Sequence, residues 1–461
     1  MSAVLGLKGK NAVVLGANPS GVELVRFLVR KGAVPVLADP AAKENLSVFL
    51  DENLDATKYR LEAGELQAKT FEGAQIVIVT AGFALDLPAL EAARTAGVQV
   101  LTELEFVSLY TDLPIVAVAG TKGKSTTAHL LQQFLEANGK KVFTNIQAPL
   151  AQVLNAAQKF EIALFVSTSF QLEGIDSYKP QMVVLTNLSD DHLDRYPNIE
   201  TYLASCREVF RNACAETISI INVANPHVQP FASALPGRKA YFGAQELADG
   251  FDGASGSRQD LLIRVEGKEV SLSLKNFRMR GPHNRENVMA AAVAALFLGA
   301  KPETLQGVVD NVRTLPHRLE FVRRLNSVAF YDDSCAANPD ATLKSLQGFT
   351  EPVILISGGR DKNVDYSPLI PHIRQRVKNL ILVGEAKEKI NRSIGDYTET
   401  FLVGTMEEAI LLAYQKSRSG DVILLSPACA PTDVFKDHAD KGEFFQRLVS
   451  QIAQPRRPNV L

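Results

Sequence analysis

Short runs of consecutive apolar residues punctuate the chain, and the stretches between them repeat their apolar positions with a helical period. Unbroken apolar runs read as strands covered on both faces, and their alternation with helical stretches predicts an α/β fold built on open, mainly parallel sheets. In residues 1–110, strands are expected at 11–15, 34–38 and 76–80, with a helix over 22–31. In residues 111–315 the strands fall at 115–119, 162–166, 182–186 and 218–222, with helices over 126–138 and 287–298. Around 245–280 the pattern changes. Segments 261–265 and 270–274 alternate about Glu266-Gly267-Lys268, which predicts a hairpin at a sheet edge. Residues 316–461 carry strands at 353–357, 380–383, 400–403 and 422–425. A chain of 461 residues has room for about three domains, and these three segments are the expected ones.

Two of the strand ends carry candidate chemistry. The strand at 115–119 runs into Gly120-Thr121-Lys122-Gly123-Lys124-Ser125-Thr126 and then into a helix. That is the context of a phosphate loop: backbone N–H groups and the positive end of a helix meet phosphate, Lys124 reaches the β- and γ-phosphates, and the Ser125 hydroxyl can ligate Mg²⁺. The longer spacing GxxxxGK[ST] fails because residue 118 is Val, so this is a shorter variant of the loop. The predicted ligand is ATP with Mg²⁺. In the first segment, a strand, a turn bearing Gly16 and Gly21, a helix, a second strand and Asp39 follow in the order of a nucleotide-binding βαβ unit. Ser20, Gly21 and Asp39 are the candidate ligand contacts there. Asn18 stands where one glycine of the pattern is expected.

Composition removes other classes. The formal net charge is -2, and no segment is strongly basic, which argues against nucleic acid or anionic membrane as the main partner. The longest apolar stretch, 288–300, is too short to span a bilayer, and the first residues lack the features of a secretory signal. Cysteines at 206, 214, 335 and 429 form no CxxC pair and read as reduced thiols in a cytoplasm.

Eight motifs together resemble the Mur ligases, the ATP-dependent, amide-forming enzymes of peptidoglycan precursor synthesis, and within them the D-glutamate-adding branch. They are GTKGKST at 120–126, TSFQLE at 168–173, TNLSDDHLDRYP at 186–197, GPHNRENVMAAAVA at 281–294, LPHRLE at 315–320, DDSCAAN at 332–338, SGGRDKNVD at 357–365 and LLSPACAPTDVFKDHADKGEFF at 424–445. The resemblance implies a Rossmann-like N-terminal domain for a UDP-linked precursor, a central P-loop ATPase-like domain, and a C-terminal Rossmann-like domain for the incoming amino acid. It implies a reaction in which ATP phosphorylates the carboxylate of UDP-N-acetylmuramoyl-L-alanine. An amino acid, D-glutamate in that branch, then attacks the acyl phosphate through its amine. On the same resemblance Asn284, Asn287, Arg318 and Asp333 contact the nucleotide. Lys124, His192, His317 and Lys362 belong to the catalytic set, Ser125 and His192 to the metal site, and Asn145 to the substrate site.

The sequence departs from that pattern in one half of the site. Val166 stands where the family carries a metal-site glutamate, and Cys206 where it carries a lysine carbamylated by CO₂. Neither offers the oxygen that Mg²⁺ prefers. Cys335 and Ala337 replace a lysine and a threonine, Pro431 a serine, and His438 an aromatic, while Lys122 replaces an asparagine of the phosphate loop. Cys206 and Cys335 lack zinc-like spacing and read as small buried hydrophobes. Two functions follow: a working ligase with an altered metal or acceptor arrangement, with Asp190, Asp191 or Glu173 supplying an oxygen, or a catalytically degenerate paralogue. The latter would bind ATP and UDP-N-acetylmuramoyl-type ligands as a regulator or scaffold beside other cell-wall synthesis proteins. A plain P-loop NTPase or kinase explains the loop but not the other motifs.

Overall fold

In the computed structural model the described residues are 6–189, 191–192, 195–243, 246–248, 250–257, 259–277, 279, 281–361, 364–431 and 434–452. Strands β1 (Asn11–Leu15), β2 (Val34–Asp39), β3 (Arg60–Ala63), β4 (Ile76–Val79) and β5 (Gln99–Thr102) form a parallel sheet in the order β3-β2-β1-β4-β5. The order reverses between β1 and β4, where doubly wound sheets open a crevice. The turn after β1 is close-packed. A Cβ on Gly16 (φ 117) would lie 2.1 Å from Thr80 Oγ1, and one on Gly21 would lie 2.0 Å from the Gly16 carbonyl oxygen. Asn18 needs no such freedom. Its backbone is extended, and its side chain accepts from Gly21 N at 3.0 Å, capping the helix Pro19–Arg30. With Pro19 at the first helical position, this cap starts the helix earlier than residue 22.

The second sheet contains β6 (Ile115–Ala119), β7 (Val142–Thr144), β8 (Ile162–Val166), β9 (Met182–Leu185), β10 (Ile218–Asn222), β11 (Arg238–Phe242), β12 (Gly253–Gly256), β13 (Asp260–Val265) and β14 (Lys268–Ser273). Their order is β14-β13-β12-β11-β10-β9-β6-β8-β7. The first seven pair in parallel, and β13 and β14 close the edge as an antiparallel hairpin. Glu266 (φ 53) and Gly267 (φ 74) are both left-handed, the turn that a tight hairpin favours. The third sheet orders β15 (Glu320–Leu325), β16 (Val328–Asp332), β17 (Val353–Ser357), β18 (Val377–Leu382), β19 (Glu399–Leu402) and β20 (Val422–Leu425) as β15-β16-β20-β17-β18-β19. Only β15–β16 is antiparallel. All five residues of β6 and of β17 are buried, which explains why these strands show no polar alternation.

The chain divides into two compact units: residues 1–276 with 286–310, and residues 277–285 with 311–461. The first unit holds the first two sheets on a shared core, in which Phe27, Leu104 and Phe106 belong to the same buried cluster as Leu150, Val153 and Tyr178. Two buried glutamates of the helix Glu103–Tyr110 fasten this junction. Glu103 accepts from Ala151 N at 3.0 Å, and from Ser20 and Ala81 N. Burial pushes its pKa up and those bonds oppose the shift. Glu105 accepts from Asp176 N (3.1 Å), Ser177 N (2.7 Å), Tyr178 N (3.0 Å) and the Ser177 hydroxyl. Buried amides left without acceptors are expensive, so Glu105 acts as the acceptor for a loop that has no strand partner. Among the described residues, no helix is long and apolar enough to cross a membrane.

Removing that carboxylate strands its donors inside the protein. Glu105→Ala should destabilise the first unit by roughly 2–4 kcal/mol, read as lost hydrogen-exchange protection at residues 176–178 and along the helix Glu103–Tyr110. Unchanged protection there would refute the role given to Glu105.

Candidate functional site

The phosphate-loop segment leaves the buried strand β6 and turns sharply. A Cβ on Gly120 (φ 126) would lie 2.4 Å from Thr186 Oγ1 and 2.7 Å from the Asn187 carbonyl oxygen. The end of the neighbouring strand β9 clasps the loop. Thr121 N donates to Asn187 O (2.8 Å), Lys122 N donates to Asn187 Oδ1 (2.9 Å), and Asn187 Nδ2 and Thr186 Oγ1 donate to Lys122 O (2.9 and 2.7 Å). Thr121 Oγ1 accepts from Ser189 N and from the Tyr202 hydroxyl, each at 3.0 Å. Gly123 is left-handed (φ 84) and starts the helix Lys124–Glu136 two residues before the expected position. A Cβ on Gly123 would meet Asn287 Oδ1 at 2.4 Å, and that oxygen accepts from Thr127 Oγ1 at 3.1 Å. Ser125 and Thr126 are half-buried in the first helical turn. The ammonium of Lys124 donates to the carbonyls of Gly120 (2.7 Å) and Thr121 (2.9 Å). Lys122 Nζ pairs with Asp191 Oδ2 at 2.7 Å. Helix-end amides and two ammonium groups on one turn make a site for a polyanion.

Val166, Cys206 and His192 belong to the same unit as this loop. Val166 ends β8, in register with Val118 of β6. Asn145 holds its backbone from both sides: Val166 N donates to Asn145 Oδ1 (2.7 Å), and Asn145 Nδ2 donates to Val166 O (3.0 Å). Cys206 is buried on the helix Ile199–Arg207, one turn beyond Tyr202. Burial pushes its thiol up, against a hydrogen bond with Tyr202 and the nearby charge of Lys124. His192 is exposed, with a left-handed backbone (φ 55), and its ring packs edge-on against Phe170 at 4.7 Å. Glu173 is held by the Tyr196 hydroxyl and by Arg195 at 2.9 Å. In the first sheet, Asp39 accepts from Ala17 N (2.8 Å) and Ala41 N (2.9 Å), so it ties β2 to the turn after β1. Ser20 donates to Glu103.

The second unit builds its own polar cluster. His317 (φ 61) and Leu319 (φ 50) are left-handed, and between them Arg318 is exposed. Nδ1 of His317 lies 2.7 Å from Oδ2 of the fully buried Asp332. Gln446 Nε2 donates to Asp332 Oδ2 (2.8 Å) and Glu320 Oε2 (3.0 Å), and Glu320 Oε2 also accepts from His317 N (2.8 Å). The helix His438–Gln451 approaches this cluster at Gly442, where a Cβ would come 2.2 Å from His317 Nδ1. The Asp332 contact raises the His317 pKa. Asp333 accepts from Leu319 N (3.1 Å), Ser345 Oγ (2.6 Å) and Ser426 Oγ (2.8 Å), yet burial pushes its carboxyl up to about 7. Burial also takes the Cys335 thiol up to about 11. Asn284 is buried in the helix Pro282–Phe297, which also carries Asn287. Lys362 and Asp190 lie outside the described residues.

Comparison with known proteins matches three family models along the chain: the Mur ligase MurD-like N-terminal domain at residues 10–102, the Mur ligase middle domain at 118–295, and the Mur ligase glutamate ligase domain at 317–429. The UDP-N-acetylmuramoylalanine–D-glutamate ligase of Bdellovibrio bacteriovorus is 39% identical, over 97% of this chain and 98% of that one. The same-named ligase of Geobacter metallireducens is 35% identical, over 98% and 100%. The chain belongs to the Mur ligase family. The UDP-N-acetylmuramate–alanine ligase of Thermotoga maritima has the same fold, with a TM-score of 0.57 over 96% of this chain and 99% of that one at 16% identity. Nothing in these comparisons favours a silent paralogue over a ligase.

Sequence reading of this Mur ligase missed several residues that shape the site. Thr186 and Asn187 open the motif at 186–197, but nothing in it says that they clasp the loop at 120–126. Asp332 opens the motif at 332–338 without showing its pairing with His317, and Tyr202 and Gln446 lie outside the eight motifs, with partners remote in sequence.

The raised pKa values have a definite sign. Asp333 binds its proton more tightly folded than unfolded, so its contribution to stability is present below its ordinary 3.8 and is lost as pH rises through about 7. His317, also raised, adds the same sign from 6.5 upward. Hydrogen exchange in β16 and β20 should therefore show stability falling from pH 5 to 7, by up to about 1.4 kcal/mol per pH unit. Asp333→Asn should flatten this dependence, and an equally steep fall in the variant would refute the assignment.

Proposed function

We propose that this chain joins D-glutamate to UDP-N-acetylmuramoyl-L-alanine at the expense of ATP. The observation that carries the reading is 39% identity, across 97% of the chain, to a ligase of that name. The clasped loop at 120–126 supports it independently, because its geometry suits a nucleoside triphosphate. The UDP-linked carboxylate attacks the γ-phosphorus, ADP leaves, and an acyl phosphate results. The amine of the amino acid then attacks the acyl carbon, an amide bond forms, and phosphate leaves with the electron pair of the broken C–O bond.

In this reading the first-turn amides of the helix Lys124–Glu136 and the Lys124 ammonium hold the phosphates. Lys124 exchanges the carbonyls of Gly120 and Thr121, 2.7 and 2.9 Å away, for phosphate oxygens. Ser125 has the right chemistry for Mg²⁺, a hydroxyl oxygen in the first helical turn, and the ion would withdraw charge from the transferring phosphoryl group. Asn284, Asn287, Arg318 and Asp333 are assigned to the nucleotide, and Ser20, Gly21, Asp39 and Asn145 to the precursor side. His192, His317 and Lys362 complete the catalytic set. Most of the protein's contribution is positioning. The amino acid enters through the second unit, and the reaction takes place in the cytoplasm, where ATP is available.

Release of ADP should require UDP-N-acetylmuramoyl-L-alanine and D-glutamate together, and the product should carry one new amide by mass. Lys124→Ala should lower that rate by about 10²–10³-fold. If no amino acid supports ADP release under Mg²⁺ or Mn²⁺, the reading fails.

A further inference from the structure

Two described positions that the resemblance gives to a second divalent ion, 206 and 166, carry no oxygen ligand in their side chains. Tyr202 bonds Thr121 of the loop, and the next residue on that helical face, Cys206, presents a buried thiol. At the end of β8, in register with Val118 of β6, Val166 presents an alkyl group, and its N–H and C=O are both taken by Asn145. Mg²⁺ requires oxygen, and normally an anionic one. Among the described acids, Asp191 holds Lys122, Glu286 accepts from Asn222 Nδ2 at 2.8 Å, and Glu173 holds Arg195 and Tyr196. Among the described residues, the two positions that the resemblance gives to the second metal and the CO₂-derived carbamate, Val166 and Cys206, therefore fit neither, since an alkyl group and a thiol supply no anionic oxygen and no amine. What the loop does carry is a second ammonium. Lys122 Nζ is fixed 2.7 Å from Asp191, on a side chain one-third exposed. An ammonium has three donors and can hold a carboxylate and a phosphate oxygen together.

We propose that this chain binds its nucleotide with one divalent cation, and that Lys122 supplies the positive charge that a second cation would otherwise bring against the phosphates. This rests on the ATP-dependent reading above and makes that site independent of CO₂. It also gives the Lys122–Asp191 pair a purpose: Asp191 keeps the ammonium at the loop before nucleotide arrives.

Two measurements on the full chain test it. With a non-hydrolysable ATP analogue, electron paramagnetic resonance titration with Mn²⁺ should count one bound ion per chain, with and without bicarbonate. A second tight ion, lost in Asp191→Asn, would overturn the proposal. In chelator, without any divalent ion, Lys122→Met should weaken analogue binding about tenfold or more, and Lys122→Arg should restore it. Equal affinity in Lys122→Met and the unsubstituted chain would also overturn it. Lys124→Ala separates the two claims. If the unsubstituted chain binds no analogue, or binds it no better than Lys124→Ala, the ATP reading itself is wrong and this inference falls with it.

Discussion

Asn187 is the residue on which the phosphate loop depends. Its carbonyl, its amide oxygen and its amide nitrogen each take one backbone group of Thr121 or Lys122. A loop that offers its amides to an anion cannot bond those amides to itself, so its shape has to come from outside. Here it comes from the end of β9, through one side chain that imitates a strand partner. Gly120 and Gly123 make the close approach possible, and the all-buried strand β6 provides a rigid base. The loop backbone is thus held in place before a ligand arrives, which limits the reorganisation that binding requires to side chains such as Lys124.

The same device recurs elsewhere with carboxylates. Glu103 and Glu105 satisfy backbone amides across the junction of the first two sheets, and Asp39 does so at the turn after β1. Asp333 gathers one amide and two hydroxyls in the second unit, at a place where burial works against its charge. These acids look like site residues in a sequence, but much of their hydrogen bonding is structural. The distinction matters for Asp39 and Asp333, where substitution would disturb the fold as well as any ligand contact.

Most of the architecture was legible from apolar runs. The strands at 11–15, 115–119, 162–166, 218–222, 353–357 and 422–425 fall where expected, because buried parallel strands leave unbroken hydrophobic segments. Strands β3, β5, β7, β11, β12, β15 and β16 were not; β3, β7 and β12 have only three or four residues of mixed polarity and no period to detect. The helices at Pro19 and Lys124 start before their first apolar residues, because an Asn cap and a left-handed glycine set those starts. The nucleotide loop was readable because its function lies in contiguous backbone. The Lys122–Asp191 and His317–Asp332–Gln446 groupings were not, because only the fold makes those residues neighbours.

Asn145 has a wider implication. It grips residue 166 through the main chain alone, with one bond to N–H and one to C=O. The strand end is therefore indifferent to the side chain it carries. Both bonds would remain available whatever side chain stood at 166, so the backbone position and the chemistry of the side chain are set separately there. A strand end gripped in this way decouples where a side chain is presented from what charge it brings.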